Sequence, residues 1–298
     1  MSACASTGCG PEATGILAIP QVREVVCVAS GKGGVGKSTL TVNLAASLAA
    51  QGMAVGIVDA DIHGPSISLL LGTGSGVEAT AEGLAIPKFS HGIWSLSVGN
   101  LLPPEAGLAW KGPLVAQAVE QLFREVAWPP LDVLLVDMPP GTGDVQITIL
   151  ERMPVTGAVV VSTPQRLAVV DAERGIALFH EYDIPVFGLV ENMAGHACPC
   201  CGEITRLFTG GHVEALAKRR HVAYLGAVPL APEAAAAAES GTPLRTQDPA
   251  SAAVTAIDAV AVRVGDALTK ERLAREHEAG LSAEQRRNAA EFWQNLAE

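Results

Sequence analysis

Residues 30–39 read SGKGGVGKST, and this stretch fits two phosphate-binding fingerprints at once. Its glycines satisfy G-x-G-x-x-G, the turn that binds dinucleotides. Its first and last glycines, followed by Lys37 and Ser38, also satisfy G-x-x-x-x-G-K-[ST], the P-loop of nucleoside triphosphatases. A second lysine, Lys32, lies inside the loop and is required by neither pattern. The remainder of the sequence has to decide which ligand the loop binds.

Three features favour the P-loop. Lys37 and Ser38 supply the ammonium group for the β/γ-phosphates and the hydroxyl for Mg²⁺, which a dinucleotide turn does not need. The apolar segment LLVD ends at Asp137 and has the form of a Walker B strand, whose carboxylate holds Mg²⁺. The segment PPGTGD that follows is a Gly-rich loop able to respond to the γ-phosphate. These features outweigh Asp59, which ends the second strand where a dinucleotide site would place its ribose-binding acid.

We therefore predict that the loop binds ATP and Mg²⁺, with its backbone N–H groups around the phosphates at the start of the following helix. The predicted loop contacts are Gly31, Gly33, Gly34, Val35, Gly36, Lys37, Ser38 and Thr39, and Lys37 is also predicted to be catalytic. Asp59 and Asp61 follow the next strand. We assign Asp59 to Mg²⁺ together with Ser38 and Asp137, and Asp61 to orientation of the attacking water. The alternative for either carboxylate is a solvated loop position.

Apolar strand-like runs alternate with helical patterns along most of the chain. This alternation predicts an α/β fold with a single doubly wound, mostly parallel sheet flanked by helices. We predict a flexible tail over residues 1–20, a P-loop ATPase domain over 21–265 and a helical extension over 266–298. Short apolar patterns at Leu84–Ile86 and Ile93–Val98 predict a hairpin or an edge strand.

The composition limits the classes of partner. The formal net charge is −11, which disfavours general attraction to nucleic acid or to an anionic membrane. No apolar run approaches the roughly 18 residues typical of a membrane-spanning helix. The first residues, MSACASTGCGPEATG, lack the basic and apolar segments of a secretory signal. We predict a cytoplasmic protein that binds neither nucleic acid nor membrane.

Three of the six cysteines lie close together, in the segment CPCCG. Cys198 and Cys201 form a C-x-x-C pair followed by glycine, which predicts a metal-binding knuckle within a loop at residues 195–206. Soft thiolates select zinc, Cu(I) or iron–sulfur clusters. One pair cannot complete a four-coordinate site, but two copies in a symmetric dimer supply the Cys₄ set of a [4Fe–4S] cluster or a zinc ion. A redox-active dithiol is a further alternative. Cys200 is treated as an auxiliary ligand, and Cys27 as a small core residue.

The form GKGGVGKST resembles the deviant Walker A motif of the SIMIBI P-loop ATPases. That class includes the MinD/ParA partition proteins, nitrogenase iron protein, the arsenite-pump ATPase and the Mrp/ApbC group. The resemblance implies that Lys32 reaches across a dimer to the partner's nucleotide. Such a cation supplied in trans acts like an arginine finger, a device worth roughly 10³–10⁵ in rate. The alternative is a surface lysine without this role.

Further segments are similar to the successive motifs of the Mrp/ApbC/Nbp-type iron–sulfur carrier ATPases. They are DADIHGPSISLLLG, WKGPLV, LLVDMPPGTGDVQITI, VVSTPQRLAVVDAERGI, GLVENMAG and CPCCG. The resemblance implies a homodimer that binds ATP and Mg²⁺, holds a labile [4Fe–4S] cluster through Cys198 and Cys201, and works with cluster-assembly proteins and apo iron–sulfur proteins. It also implies that Asn192 and the backbone near Pro229 contact adenine. A MinD/ParA-like positioning ATPase and a zinc-bridged ATPase dimer are the alternatives.

Overall fold

A computed structural model describes residues 16–62, 64–101, 112–198, 203–206, 208 and 210–280. The strands are β1 (Val22–Ser30), β2 (Val55–Asp59), β3 (Lys88–Ser90), β4 (Ile93–Ser97), β5 (Leu131–Asp137), β6 (Gly157–Ser162), β7 (Val186–Ala197), β8 (Ile204–Thr205) and β9 (Tyr224–Leu230). The helices are α1 (Lys37–Ala50), α2 (Ile67–Leu70), α3 (Val98–Leu101), α4 (Gly112–Arg124), α5 (Asp144–Arg152), α6 (Arg166–Glu181), α7 (His212–Arg219), α8 (Glu233–Glu239), α9 (Leu244–Gln247) and α10 (Ala252–Gly280).

The described strands form one sheet in the order β3-β4-β2-β5-β1-β6-β7-β8, and β9 pairs with β7. Only the short strands β3 and β8 run antiparallel to their neighbours. The other pairings are parallel, so the long strands end at one common edge. The predicted fold class, a doubly wound and mostly parallel sheet, is confirmed.

Strand β1 shows why both faces of the sheet are covered. Alternate side chains of a strand point to opposite faces, so a strand with apolar residues at every position needs a layer on each side. Val25 and Cys27 belong to the core that packs against α4, α5, α6 and α7. Val26 and Val28 belong to the core on the other face, against α1 and α10. Cys27 is fully buried, which confirms its prediction as a core residue.

The predicted edge hairpin is present, but its first strand is displaced along the chain. The segment Leu84–Ile86 makes only isolated bridges through Ala85, and β3 begins after Pro87, whose missing N–H cannot join a ladder. Strands β3 and β4 are joined at His91 and Gly92, which both have positive φ. Two such residues in succession are typical of the tight turns that match the twist of a hairpin.

The prediction of a loop at residues 195–206 is wrong near both ends, where residues 195–197 and 204–205 lie in strands, while residues 199–202 lie outside the described part of the chain. Strand β7 continues to Ala197, and β8 pairs with it antiparallel, with His196 opposite Thr205. We call the paired residues 196–198 and 203–205 the cysteine hairpin. Glycine within a strand often marks a bend, but Gly195 lies inside β7. In the structure a Cβ at that position would lie 2.8 Å from the carbonyl oxygen of Thr205, so the glycine permits close packing.

The predicted segment boundaries do not coincide with breaks in the structure. Ile19 is buried, and the Leu17 N–H donates to the carbonyl of Arg152 at 2.7 Å, so the end of the predicted tail is anchored to the domain. Residues 1–15 lie outside the described residues. Helix α10 passes through the predicted boundary at residue 265 without interruption, and residues 281–298 are not described.

Candidate functional site

The Gly-rich loop joins β1 to α1 at the carboxyl edge of the sheet. Gly31 packs directly on α6, where a Cβ would come closer than 3.0 Å to the backbone of Asp171. Gly33 and Gly34 are exposed at the tip of the loop, and Val35 is buried. Gly31 is therefore required by packing, quite apart from any phosphate.

The P-loop lysine and the predicted Walker B carboxylate form a buried ion pair. Lys37 Nζ lies 2.7 Å from Asp137 Oδ2, with side-chain exposures of 6% and 0%. The Ser38 hydroxyl donates to the same oxygen at 2.6 Å, and the Thr41 hydroxyl reaches Asp137 Oδ1 at 2.8 Å. A buried carboxylate is stable only with such partners. The structure thus brings together three predicted residues and adds Thr41, which the sequence analysis missed although it lies one turn beyond Lys37 on α1.

Asp59 lies beside Asp137, because β2 and β5 pair with these two residues in register. It is fully buried, and its Oδ2 accepts hydrogen bonds from the Ser97 hydroxyl at 2.8 Å and the Ile67 N–H at 3.0 Å. Burial, followed by the negative charge of Asp137, raises the pKa of Asp59 to about 7, against the opposing effects of these hydrogen bonds and of Lys37. Two adjacent carboxylates offer the oxygen ligands that suit a hard divalent cation.

Asp61 lies at the same edge, half-buried, two residues beyond the end of β2. Its N–H donates to Asp59 Oδ1 at 3.2 Å, and its own Oδ1 accepts from the Gly64 N–H at 3.2 Å. The carboxylate therefore orders the segment that follows it. Its role toward an attacking water stays a prediction.

Lys32 is half-buried and contacts its own subunit. Its Nζ donates to Gln165 Oε1 at 3.3 Å, in the segment just before α6, and the Ser30 hydroxyl donates to the Lys32 carbonyl at 3.0 Å. Gln165 is exposed, so this hydrogen bond is weak and easily exchanged for another. The trans role of Lys32 stays a prediction.

A cavity of about 420 Å³ adjoins the loop, and we call it the loop-side cavity. Its walls come from α1, β7, β9 and the segments around α8 to α10, and they include Gly36, Thr39, Asn43, Asn192, Pro229 and Leu244. Asn192 Nδ2 donates to the Val35 carbonyl at 2.8 Å, which joins β7 to the loop. An apolar cavity with a few polar groups is typical of the site of a flat aromatic ring. Asn192 and Pro229, the predicted adenine contacts, both line it.

The cysteine hairpin extends beyond the same edge. Cys198 is half-buried, and its N–H donates to the Glu203 carbonyl at 2.9 Å, which continues the β7–β8 pairing. Cys200 and Cys201 lie outside the described residues, so the predicted ligand pair is only half placed. Burial in β1 raises the pKa of the Cys27 thiol and keeps it protonated, so it is not a ligand of this kind. Among the described residues no three His, Cys, Asp or Glu side chains are grouped so as to hold a metal ion.

Within the described part of the chain, no helix combines the length and the apolar character needed to cross a bilayer. Even α10, with 29 residues, has charged side chains along its second half.

Three iron–sulfur cluster carrier or transfer proteins are similar to this chain in sequence. An iron–sulfur cluster carrier protein of Escherichia coli K12 is 45% identical over 231 residues, which cover 77% of this chain and 63% of that protein. The chain therefore spans less than two thirds of that relative. A carrier protein of the same name from Pseudomonas fragi is 43% identical, covering 85% of this chain and 89% of its own. The mouse iron–sulfur cluster transfer protein NUBPL is 44% identical, covering 78% and 74%.

Two solved structures are similar to this chain in fold. A nucleotide-binding protein of Archaeoglobus fulgidus in complex with ADP superposes with a TM-score of 0.66 at 38% identity, covering 75% of this chain and 88% of its own. The cell division ATPase MinD of Pyrococcus furiosus shares the fold, with a TM-score of 0.63 at 21% identity, covering 82% of this chain and 98% of its own. The ParA family profile, described as NUBPL iron-transfer P-loop NTPase, matches residues 21–265. The chain belongs to this family of iron-transfer P-loop NTPases.

Proposed function

We propose that the chain is an ATP-dependent carrier of iron–sulfur clusters, which binds a labile [4Fe–4S] cluster between two subunits and delivers it to apo-proteins. The observation that carries the proposal is the common edge of the sheet. The P-loop, the paired carboxylates Asp59 and Asp137, and the cysteine hairpin all lie there. The names of the relatives, which describe carriers and transfer proteins, support the same function.

The nucleotide would bind with its phosphates in the Gly-rich loop and its base in the loop-side cavity. Bound Mg²⁺ would neutralise charge on the phosphate oxygens, held by Ser38, Asp137 and Asp59. Lys37 would then turn from Asp137 toward the β/γ-phosphates, a short movement for a lysine side chain. Asp61 would orient the attacking water, and Lys32 of a second copy would stabilise charge that develops in the transition state.

The cluster is the cargo, and its transfer is an exchange of ligands. Cys198 and Cys201 of two copies provide four thiolates, which is the full set for a [4Fe–4S] cluster. Delivery replaces each bond from iron to a carrier thiolate by a bond to a thiolate of the recipient, so no electron is gained or lost. Hydrolysis of ATP would time the opening of the dimer.

The test is anaerobic reconstitution of the full chain, followed by analysis of iron and sulfide and by the visible spectrum. We expect about four iron atoms per dimer, as a [4Fe–4S] cluster requires, and transfer of the chromophore to an apo-ferredoxin. Cys198→Ala and Cys201→Ala should both lose the iron, whereas Cys9→Ser, in the N-terminal segment, should keep it. Equal iron in all three variants, or zinc as the metal that the two cysteines retain, would contradict the proposal.

A further inference from the structure

Strand β7 is the structural link between the loop-side cavity and the cysteine hairpin. Its first half pairs with β6, from Val186 to Glu191, inside the sheet. Its final residues pair with β8, and Cys198 follows directly. Only five positions separate Met193, which lines the cavity, from Cys198. A displacement at Met193 therefore has a short path to the cysteine.

The strand is irregular at this point. Between Asn192 and His196, four residue steps along β7 are matched by only two along β9, from Val228 to Leu230. Met193 within this bulge has a φ of 56°, a left-handed conformation that is strained for a residue other than glycine or asparagine. Bulges redirect a strand and commonly lie beside functional sites. We call residues 192–195 the β7 bulge.

The β7 bulge rests on the P-loop. The Asn192 amide donates to the Val35 carbonyl at 2.8 Å. Gly36 has a φ of 80°, and a Cβ at that position would lie 3.3 Å from the terminal methyl group of Met193 and closer still to the Asn192 amide. Val35 and Gly36 of the loop thus pack directly against Asn192 and Met193 of the bulge. Any ligand that shifts one pair has to shift the other.

Glu191, the residue of β7 just before the bulge, is held by a hydrogen bond. The Tyr224 hydroxyl donates to Glu191 Oε2 at 2.7 Å, and Glu191 is 7% exposed. Burial and this hydrogen bond raise the pKa of Tyr224, so its hydroxyl stays a donor. Because Glu191 is held in this way, we expect a movement that begins at Asn192 and Met193 to displace the residues toward Cys198 more than the part of β7 inside the sheet.

Building on the proposed carrier function, we propose that Met193 is a positioning residue through which occupancy of the loop-side cavity by adenine nucleotide controls the position of Cys198. Nucleotide that fills the cavity presses on Met193 and Leu230 and holds the β7 bulge in one arrangement. The pairing of His196 and Ala197 with β8 then breaks less often, and the Cys198 thiol is less accessible. Release of nucleotide loosens the hairpin at the stage when a cluster must leave.

The test uses the full chain without cluster, pulsed with N-ethylmaleimide at constant pH with and without saturating ADP. Tandem mass spectrometry assigns modification to Cys198, and the buried Cys27 reports any unfolding. We expect ADP to slow alkylation of Cys198 at least about fivefold, the lower end of common coupling between two sites. Slowing of less than about twofold, or acceleration, overturns the proposal.

Met193→Gly removes the strained side chain, and we expect it to abolish the effect of ADP when ADP is kept at a concentration that calorimetry shows to saturate the variant. Met193→Asn, which tolerates the left-handed conformation, serves the same purpose if the glycine variant does not fold. Asp183→Gly is the matched control, because Asp183 also has a positive φ, 54°, but lies exposed before the start of β7. A full ADP response in both Met193 variants overturns the proposal.

The two proposals fail separately. Normal binding of iron with an ADP-independent Cys198 would refute the role of Met193 and leave the carrier function intact. Failure to bind iron would refute the carrier function, whatever the alkylation rates show.

Discussion

Replacement of Thr41 by valine tests how much its hydrogen bond to the buried Asp137 carboxylate contributes to the free energy of unfolding. Thr41 is fully buried, and its hydroxyl is one of three side-chain donors to Asp137, at 2.8 Å. Loss of a hydrogen bond to a charged group costs about 1.5–3 kcal/mol. The extra buried methyl group of valine returns at most about 0.8 kcal/mol. We expect a net decrease of about 1–2 kcal/mol in the free energy of unfolding, since water cannot reach the orphaned oxygen.

The assay is equilibrium unfolding in urea without nucleotide or Mg²⁺. With an m-value near about 3 kcal/mol per M, the midpoint should fall by roughly 0.5 M at unchanged slope. Thr41→Ser keeps the hydroxyl and is the matched control. A double-mutant cycle with Asp137→Asn should show that most of the cost depends on the carboxylate. A Thr41→Val protein as stable as wild type, or one whose loss is equal in the Asp137→Asn background, would refute the reasoning.

Three further changes are informative. Lys32→Ala should leave ADP binding unchanged and lower ATP hydrolysis by roughly 10³ or more, measured as phosphate release, because a cation supplied in trans acts only in the transition state. Unchanged turnover would remove the trans role. Gly36→Ala should lower ADP affinity in calorimetry more than about tenfold through collision with the neighbouring amide, whereas Gly76→Ala, at a similar φ of 84° but in open space, should not. Equal affinities would show that position 36 is not closely packed. Arg275→Met should lower stability in urea by about 1–2 kcal/mol, because it removes the charged partner of the buried Glu24 carboxylate and leaves its hydrogen bond from the Thr156 hydroxyl; no change would show that α10 is not held by this pair.

The sequence was sufficient for the architecture and for the parts of the site that follow one another along the chain. The loop from Gly31 to Ser38 carries a specific pattern, and Asp137 is recognisable because an apolar strand ends there. Parallel strands share an edge, so the meeting of Asp59 with Asp137 could also be expected. These inferences depend on local chemistry and on one general rule of topology.

What could not be predicted depends on contacts between distant segments and on backbone angles. Asn192 and Val35 are 157 positions apart, and no pattern in either segment indicates their hydrogen bond. The positive φ of Met193 has no signal either, since methionine rarely adopts it. Thr41 was detectable in principle, because residues one turn apart on a helix share a face.

The packing of Gly31 against α6 affects how related proteins without ATPase activity can be recognised from their sequences. A side chain at that position would collide with the Asp171 backbone, so the glycine would be retained in a pseudoenzyme that had ceased to use ATP. Lys37 would be retained for the same reason, as the countercharge of Asp137. Gly33 is different: among the described residues, nothing lies within 4 Å of the point where its Cβ would be. A related protein that has lost ATPase activity would therefore be recognised by a substitution at Gly33 in an otherwise intact motif.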